Sequence, residues 1–331
     1  MKKLLLLLVF LTIGIFIVLT LDSKKQSIQT PTQKVKIGLY NGDSSALAFF
    51  AKEKGFFKKE NLDIEFKLYK SGRDAMAGML NGEVDYSNST EYVALKNSYK
   101  NKDFKILGSM ATARINGMIA KKSSGIYQIK DMKNKKIGTT FGTAAEYFTG
   151  IFLLLNNLEI EDITLVDINV GQRDNALESD KVDALFAWEP FFYNMKQKYK
   201  DELKYFEMPA GFEFYFIFTV NNKYHEKYPQ ISSKIVKALI KTERYMKKNK
   251  AEFNDFVKNY FNFDNVYSLY TLQRHHFSFT FPYPLTTTMY NQAKWLEKNK
   301  LVIGEATNIE SLFDTTILNN IDRTKVTILD R

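Results

Sequence analysis

A pattern that returns after about a hundred residues constrains this chain more than any other feature. Lys36-Ile37-Gly38 comes back as Lys136-Ile137-Gly138, and Gly42-Asp43-Ser44-Ser45-Ala46 as Gly142-Thr143-Ala144-Ala145-Glu146. Leu62-Asp63-Ile64 is matched by Asp162-Ile163-Thr164. Arg73-Asp74-Ala75-Met76 with Val84-Asp85 is matched by Arg173-Asp174-Asn175-Ala176 with Val182-Asp183. Blocks that recur in one order mark a duplicated unit. Each copy reads strand, loop, helix, strand, helix, strand, an alternation that favours an α/β lobe with a mixed, mostly parallel sheet flanked by helices.

Two lobes imply a cleft between them. The first part of lobe one is expected over 34–122, lobe two over 123–218, and the completion of lobe one with the C-terminal helices over 219–331. Phe212 to Asn222 reads as the returning strand, and Tyr224 to Lys250, Ala251 to Phe261 and Leu285 to Lys298 read as helices. Lys105 to Ala120 reads as one crossing strand. A chain that crosses twice makes a two-strand hinge.

Residues 1–33 stand apart. Met1-Lys2-Lys3 precedes the charge-free stretch Leu4 to Leu21, so this segment is expected to be an export signal, either cleaved or retained as a membrane anchor. With no cysteine, lipid attachment, disulfides, thiolate metal sites and cysteine nucleophiles are all excluded. The net charge of +10 falls to about +7 once Lys2, Lys3, Lys24, Lys25 and Asp22 are set aside. The remaining lysines alternate with acids, as in Lys52, Glu53 and Lys54, which reads as a solvated face and not as a nucleic-acid surface.

In open α/β sheets ligands lie beyond the carboxyl ends of the strands, here Tyr40 to Ser45 and Thr139 to Ala145. The first amides of a helix lack intrahelical partners and carry partial positive charge, so two helix starts aimed at one cleft hold an anion without any lysine. Ser44, Ser45, Thr140, Gly142, Thr143 and Ala144 are the candidates on that ground. Asp43 fits only if the ligand also carries a cation or the carboxylate turns outward as a cap. Asn88 and Ser89, at the end of the third strand, are further donors. Tyr40, with Phe141 and Tyr215, would supply aromatic walls. Trp188 would either wall the pocket or pack between helix and sheet, and Glu189 would take a ligand amine, bridge the lobes or serve its own helix start. Arg114 would pair with an acidic group of the ligand or with a protein carboxylate. Arg73-Asp74 and Arg173-Asp174 read as structural, as do His225, His275 and His276; no metal site or cofactor is expected.

Ile126 to Gly142, with its run Asp131-Met132-Lys133-Asn134-Lys135-Lys136-Ile137-Gly138, Ala184 to Phe191 with Trp188-Glu189-Pro190, and Gly55-Phe56-Phe57 resemble the nitrate-, sulfonate- and taurine-binding family of periplasmic solute-binding proteins. The likeness runs from about Lys34 to Leu296. It implies a two-lobed, type II periplasmic-binding-protein-like fold and an extracytoplasmic protein, a monomer, that hands a small organic anion or zwitterion to the permease of an ABC importer. It also allows a thiamin-pyrimidine precursor as ligand. Retention of Leu4 to Leu21 would allow a membrane-anchored ligand sensor instead. A pyrimidine synthase of similar fold depends on histidine and a cysteine-rich motif, and the lack of cysteine argues against that chemistry here, so no enzyme is expected.

Overall fold

The computed structural model describes residues 32–209, 211–304 and 308–328. The duplicated blocks become two sheets. The chain starts with β1 (Gln33–Tyr40), α1 (Ala46–Glu53), β2 (Leu62–Tyr69), α2 (Gly72–Leu80), β3 (Tyr86–Thr90), α3 (Glu91–Ser98) and β4 (Phe104–Ala113). It then enters a second sheet through β5 (Asn116–Lys121), β6 (Lys136–Thr139), α4 (Ala144–Leu154), β7 (Thr164–Asp167), α5 (Arg173–Glu178), β8 (Ala184–Trp188), α6 (Phe191–Tyr199) and β9 (Leu203–Glu207). It returns through β10 (Phe214–Asn221), α7 (Asn222–Lys227), α8 (Pro229–Lys248), α9 (Lys250–Tyr260), α10 (Asn265–Arg274), β11 (His275–Thr280), α11 (Tyr283–Lys298) and α12 (Thr316–Asp322).

The six-stranded sheet runs β11-β4-β10-β3-β1-β2 and the five-stranded sheet β7-β6-β8-β5-β9. Each with its helices is one lobe. β1 pairs parallel with β3, as β6 does with β7 and β8, whereas β10 pairs antiparallel with β3 and β4, β11 with β4, and β5 with β8 and β9. The repeat is a repeat of contacts. Asp85 Oδ2 accepts from the Lys36 amide at 2.8 Å, and Asp183 Oδ2 from the Lys136 amide at 2.8 Å, so each Val-Asp block clasps the start of its own first strand. In both lobes the strand that follows the repeat's third strand, β10 or β5, is the one that has just arrived from the other lobe.

Lys105 to Ala120 is therefore two strands in two sheets and not one. The chain changes lobe at Arg114 and Ile115, ahead of residue 122, and returns ahead of β10, before residue 218. A continuous run of extended apolar residues hides such a switch, because the backbone keeps its β conformation while only its neighbours change. α10, β11 and α12 are further elements absent from the sequence reading. Leu4 to Leu21 lie outside the described residues, and among the described residues no helix is long and apolar enough to cross a membrane.

The larger lobe's core lies on both faces of β10, whose buried run Phe216 to Val220 befits a central strand covered on each side. Phe218 stacks on Tyr86 at 5.4 Å and meets the edge of Phe279 at 6.4 Å. α8 covers this region because its apolar residues, among them Ile231, Ile235, Leu239 and Met246, recur at helical spacing and lie buried against α1 and β11. Phe218→Ala opens a cavity in the one strand that joins β3 to β4, and is expected to cost about 3–5 kcal/mol in chemical denaturation at equilibrium. A loss below about 1 kcal/mol would show that β10 is not the keystone of the sheet.

Candidate functional site

The loops that follow β1 and β6 decide what faces the cleft. In lobe two, Gly142 has φ +71, a left-handed conformation that glycine adopts without strain, and this turn delivers Thr143 to the cap of α4. The Thr143 hydroxyl donates to the Thr140 carbonyl at 2.7 Å and accepts from the Ala145 amide at 3.3 Å. In lobe one the facing helix start is that of α2, where the Ser71 hydroxyl accepts from the Asp74 amide at 3.1 Å. Gly72 and Arg73 on one side and Ala144 and Ala145 on the other border the same cavity, which encloses about 470 Å³ with its mouth included.

This inner cavity has a polar side, made by the helix starts and the ends of two strands, and an apolar side. Asn88, Ser89 and Thr90 at the end of β3 line it together with Asn116 and Thr143, while Val93, Ile115, Phe214, Phe216 and Trp188 form the apolar walls. Thr90 Oγ1 and Asn116 Nδ2 are buried there without a hydrogen-bond partner among the described residues. Buried donors left unpaired cost stability, which a polar ligand group would return.

Several contacts join the lobes around the cavity. Arg73 Nη1 donates to the Phe141 carbonyl at 2.7 Å across the cleft, and Trp188 Nε1 to the Tyr40 hydroxyl at 3.3 Å. Glu146, buried in α4, accepts from the Tyr92 hydroxyl at 2.9 Å and from Lys96 Nζ at 2.6 Å, both on α3 of lobe one, and from the Gly142 amide at 2.9 Å. Trp295 of α11 lies against Gly150 of α4, where a Cβ would come within 2.3 Å of the indole, so only glycine permits this approach. The lobes are closed on each other.

Of the candidate residues, Tyr40, Asn88, Ser89, Thr143, Ala144 and Trp188 line the inner cavity. The others do not. Asp43, Ser44 and Ser45 form a buried turn beneath α10: Asp43 accepts from the Thr271 hydroxyl and lies 3.7 Å from His275 Nε2, and the Ser45 hydroxyl donates to the Tyr40 carbonyl at 2.8 Å. The start of α1 is thus covered by an element the sequence reading lacked, and α2 takes its place at the cleft. The Thr140 hydroxyl donates to the Ile168 carbonyl at 2.7 Å and is spent inside lobe two. Gly142 shapes the turn without bordering the cavity. Arg114 sits at the crossing, beside a small separate cavity with Glu189, Glu207 and Arg274. Glu189, joined by a cis bond to Pro190, accepts from the Tyr193 amide at 2.9 Å.

Arg73 and Arg173 are the residues the sequence reading undervalued. Both open the second helix of their repeat, and both reach the cleft. Their recurrence a hundred residues apart was the available signal. Beyond the Tyr40–Trp188 hydrogen bond lies a second, more open chamber, about 1030 Å³ with the solvent at its mouth included, bordered by Lys70, Arg173, Asp174, Glu189 and Phe191 among others.

Burial pushes the carboxyls of Glu91 and Glu189 up to about 7. Glu91 accepts from Gln292 Nε2 at 2.7 Å and from the Tyr215 amide at 2.8 Å, which offsets only part of that penalty. In the unfolded chain such groups lose their protons near the ordinary glutamate value, about 4.3, so between there and about 7 the folded state binds more protons and stability falls as pH rises. The melting temperature is therefore expected to decline from pH 5 to pH 7.5 and to decline less in Glu91→Gln; equal slopes in the two proteins would place the pH dependence elsewhere.

The sequence pattern of the family described as NMT1/THI5 like matches residues 43–253. A protein of Bacillus subtilis (strain 168) that carries the provisional name aliphatic sulfonates-binding protein is 26% identical over 164 residues, 48% of this chain and 49% of that one, so the chain spans about half the length of this relative. The alkanesulfonate-binding protein SsuA from Xanthomonas axonopodis pv. citri, bound to MOPS, has a similar structure, with a TM-score of 0.74 over 87% of this chain and 100% of that chain at 13% identity. The desulfurization enzyme DszB is similar too, with a TM-score of 0.64 over 88% of this chain and 99% of that one at 13% identity. The structural likenesses show the two-lobed fold of periplasmic binding proteins, which carries binding proteins and an enzyme alike. On the match of its sequence over most of both lobes, the chain belongs to the NMT1/THI5-like family.

Proposed function

We propose that this protein is an extracytoplasmic solute-binding protein that closes its lobes on a small organic anion of the sulfonate class and presents it to the permease of an ABC importer. The observation that carries the reading is the meeting of two helix starts, α2 from one lobe and α4 from the other, at a single cavity whose other walls combine the polar residues Asn88, Ser89, Thr90 and Asn116 with an apolar side of Val93, Ile115, Phe214 and Phe216. First-turn amides and helix dipoles favour negative charge, and a sulfonate has three acceptor oxygens to share between two such starts. The apolar walls suit a short hydrocarbon tail. The provisional name of the Bacillus relative and the ligand class of the Xanthomonas structure point the same way.

The lining favours carriage over catalysis. No thiol exists in the chain, and none of its three histidines borders the inner cavity, so hydroxyls, amides and one guanidinium are what a ligand meets there. Such groups recognise without reacting. A ligand touching both lobes stabilises the closed form over the open one, and a permease that docks against the closed form is thereby informed of loading. Export across the cytoplasmic membrane belongs to the same reading. The aromatic walls Tyr40, Trp188, Phe214 and Phe216 favour a second ligand class, a flat pyrimidine precursor of thiamin.

Titration calorimetry of the full chain with ethanesulfonate, taurine, nitrate and 4-amino-5-hydroxymethyl-2-methylpyrimidine separates these ligands. A sulfonate is expected to bind with micromolar or better affinity; heat from the pyrimidine alone would transfer the site to the second class, and heat from none would refute the reading. Thr143→Trp is expected to abolish sulfonate binding while the far-ultraviolet circular dichroism stays native, because its side chain would project into the cavity. Retained affinity in that variant would remove the helix start of α4 from the site.

A further inference from the structure

The outer chamber holds a charge that the protein does not answer. Arg173 is 2% exposed, yet among the described residues no carboxylate lies within ion-pair distance of it. Its Nη2 donates to Thr140 Oγ1 at 3.1 Å, its guanidinium lies 3.5 Å from the centre of the Trp188 ring, and its Nε has no acceptor. One neutral hydrogen bond, the Trp188 ring face and the more distant Phe191 ring at 5.6 Å offset only part of the cost of taking a cation out of water.

The groups around it do not make up the difference. Tyr40 is pushed up to about 12 by burial and stays neutral. Glu189, pushed up to about 7 by burial, carries only part of a charge at neutral pH. Asp174 faces solvent, and Lys198 is paired with Glu178 at 2.8 Å. Arg73 stands close enough across the cleft to repel Arg173, and Lys70, a further cation, borders the same chamber. Burial, with the like charge of Arg73 behind it, pulls Arg173 down to about 9, which leaves it protonated at neutral pH. A buried, protonated and unpaired guanidinium at the wall of an open chamber is a receptor for an oxyanion.

We infer that Arg173 is an anion-binding residue of the outer chamber, so that a ligand reaching through the cleft carries a second acidic group besides the one held at the helix starts. The inference deepens the reading of the cleft as an anion site and rests on it for the identity of the first group. Because the inner cavity lacks Arg173, the two subsites respond to different substitutions.

The test uses inorganic sulfate on the full chain, with sodium chloride at matched ionic strength as reference. An anion that binds the native state raises its melting temperature, while the general stabilising effect of sulfate is common to all variants and cancels between them. Sulfate is expected to raise the midpoint of the wild type by at least about 3 °C more than that of Arg173→Met, with Arg173→Lys in between. Equal increments in the wild type and Arg173→Met overturn the inference. If Arg173→Met does not fold, Arg173→Gln takes its place in the same comparison with the same two outcomes. Alkanesulfonate binding with no sulfate difference overturns this inference alone, whereas a sulfate difference with no alkanesulfonate binding overturns the sulfonate reading and leaves Arg173 as an anion site.

Discussion

The carboxylate of Glu146 links three parts of the molecule that would otherwise be independent. It lies in the first turn of α4, accepts the amide of Gly142 in its own loop, and takes donors from Tyr92 and Lys96 of the opposite lobe. A buried carboxylate needs donors to offset its lost hydration, and here the three that converge on Oε2 come from both sides of the cleft. Opening the lobes withdraws two of the three. The geometry of the α4 start, to which the proposed anion recognition is assigned, is therefore tied to closure itself. The site is complete only in the state that an importer would need to recognise.

The aromatic residues divide between two tasks. Most belong to the core: Phe50 packs on Phe253 and Phe256, and Phe152 on Phe186 and Phe206. Trp188 does both jobs in one place: it borders the inner cavity, carries a buried guanidinium over its ring, and reaches across to Tyr40 with its indole N–H. Tyr40 and Trp188 border both chambers. On the proposed reading a ligand confined to the inner cavity would leave this pair joined, and one that reaches the outer chamber would have to part it.

How far the sequence could be read depended on whether a feature was local or arose from remote packing. The paired blocks around Gly38 and Gly138 and around Asp85 and Asp183 were legible because each lobe repeats the same backbone contacts over short distances. The helix start at Thr143 was legible for the same reason. The corresponding turn at Asp43 to Ser45 was misread because α10, more than two hundred residues away in sequence, folds over it and binds Asp43 through Thr271. No local property of Asp43-Ser44-Ser45 distinguishes a helix start that faces a ligand from one that is roofed by its own chain. Arg73 and Arg173 were visible as an echo, but an arginine at a helix start has an ordinary structural use, and only burial without a counter-ion sets Arg173 apart.

The route of the chain through its two sheets also governs how the protein can be made. The second lobe's sheet uses only residues between Asn116 and Glu207, so it can form as soon as that stretch is available. The first lobe's sheet cannot, because β10 lies between β3 and β4 and is synthesised after the whole of the second lobe. Until Phe214–Asn221 arrives, β3 and β4 have unpaired edges and no common core. The part of the chain that emerges first therefore folds last. An unfinished lobe with open strand edges is the form most prone to wrong pairing, and also the pliable form in which a chain can pass through a membrane before it locks.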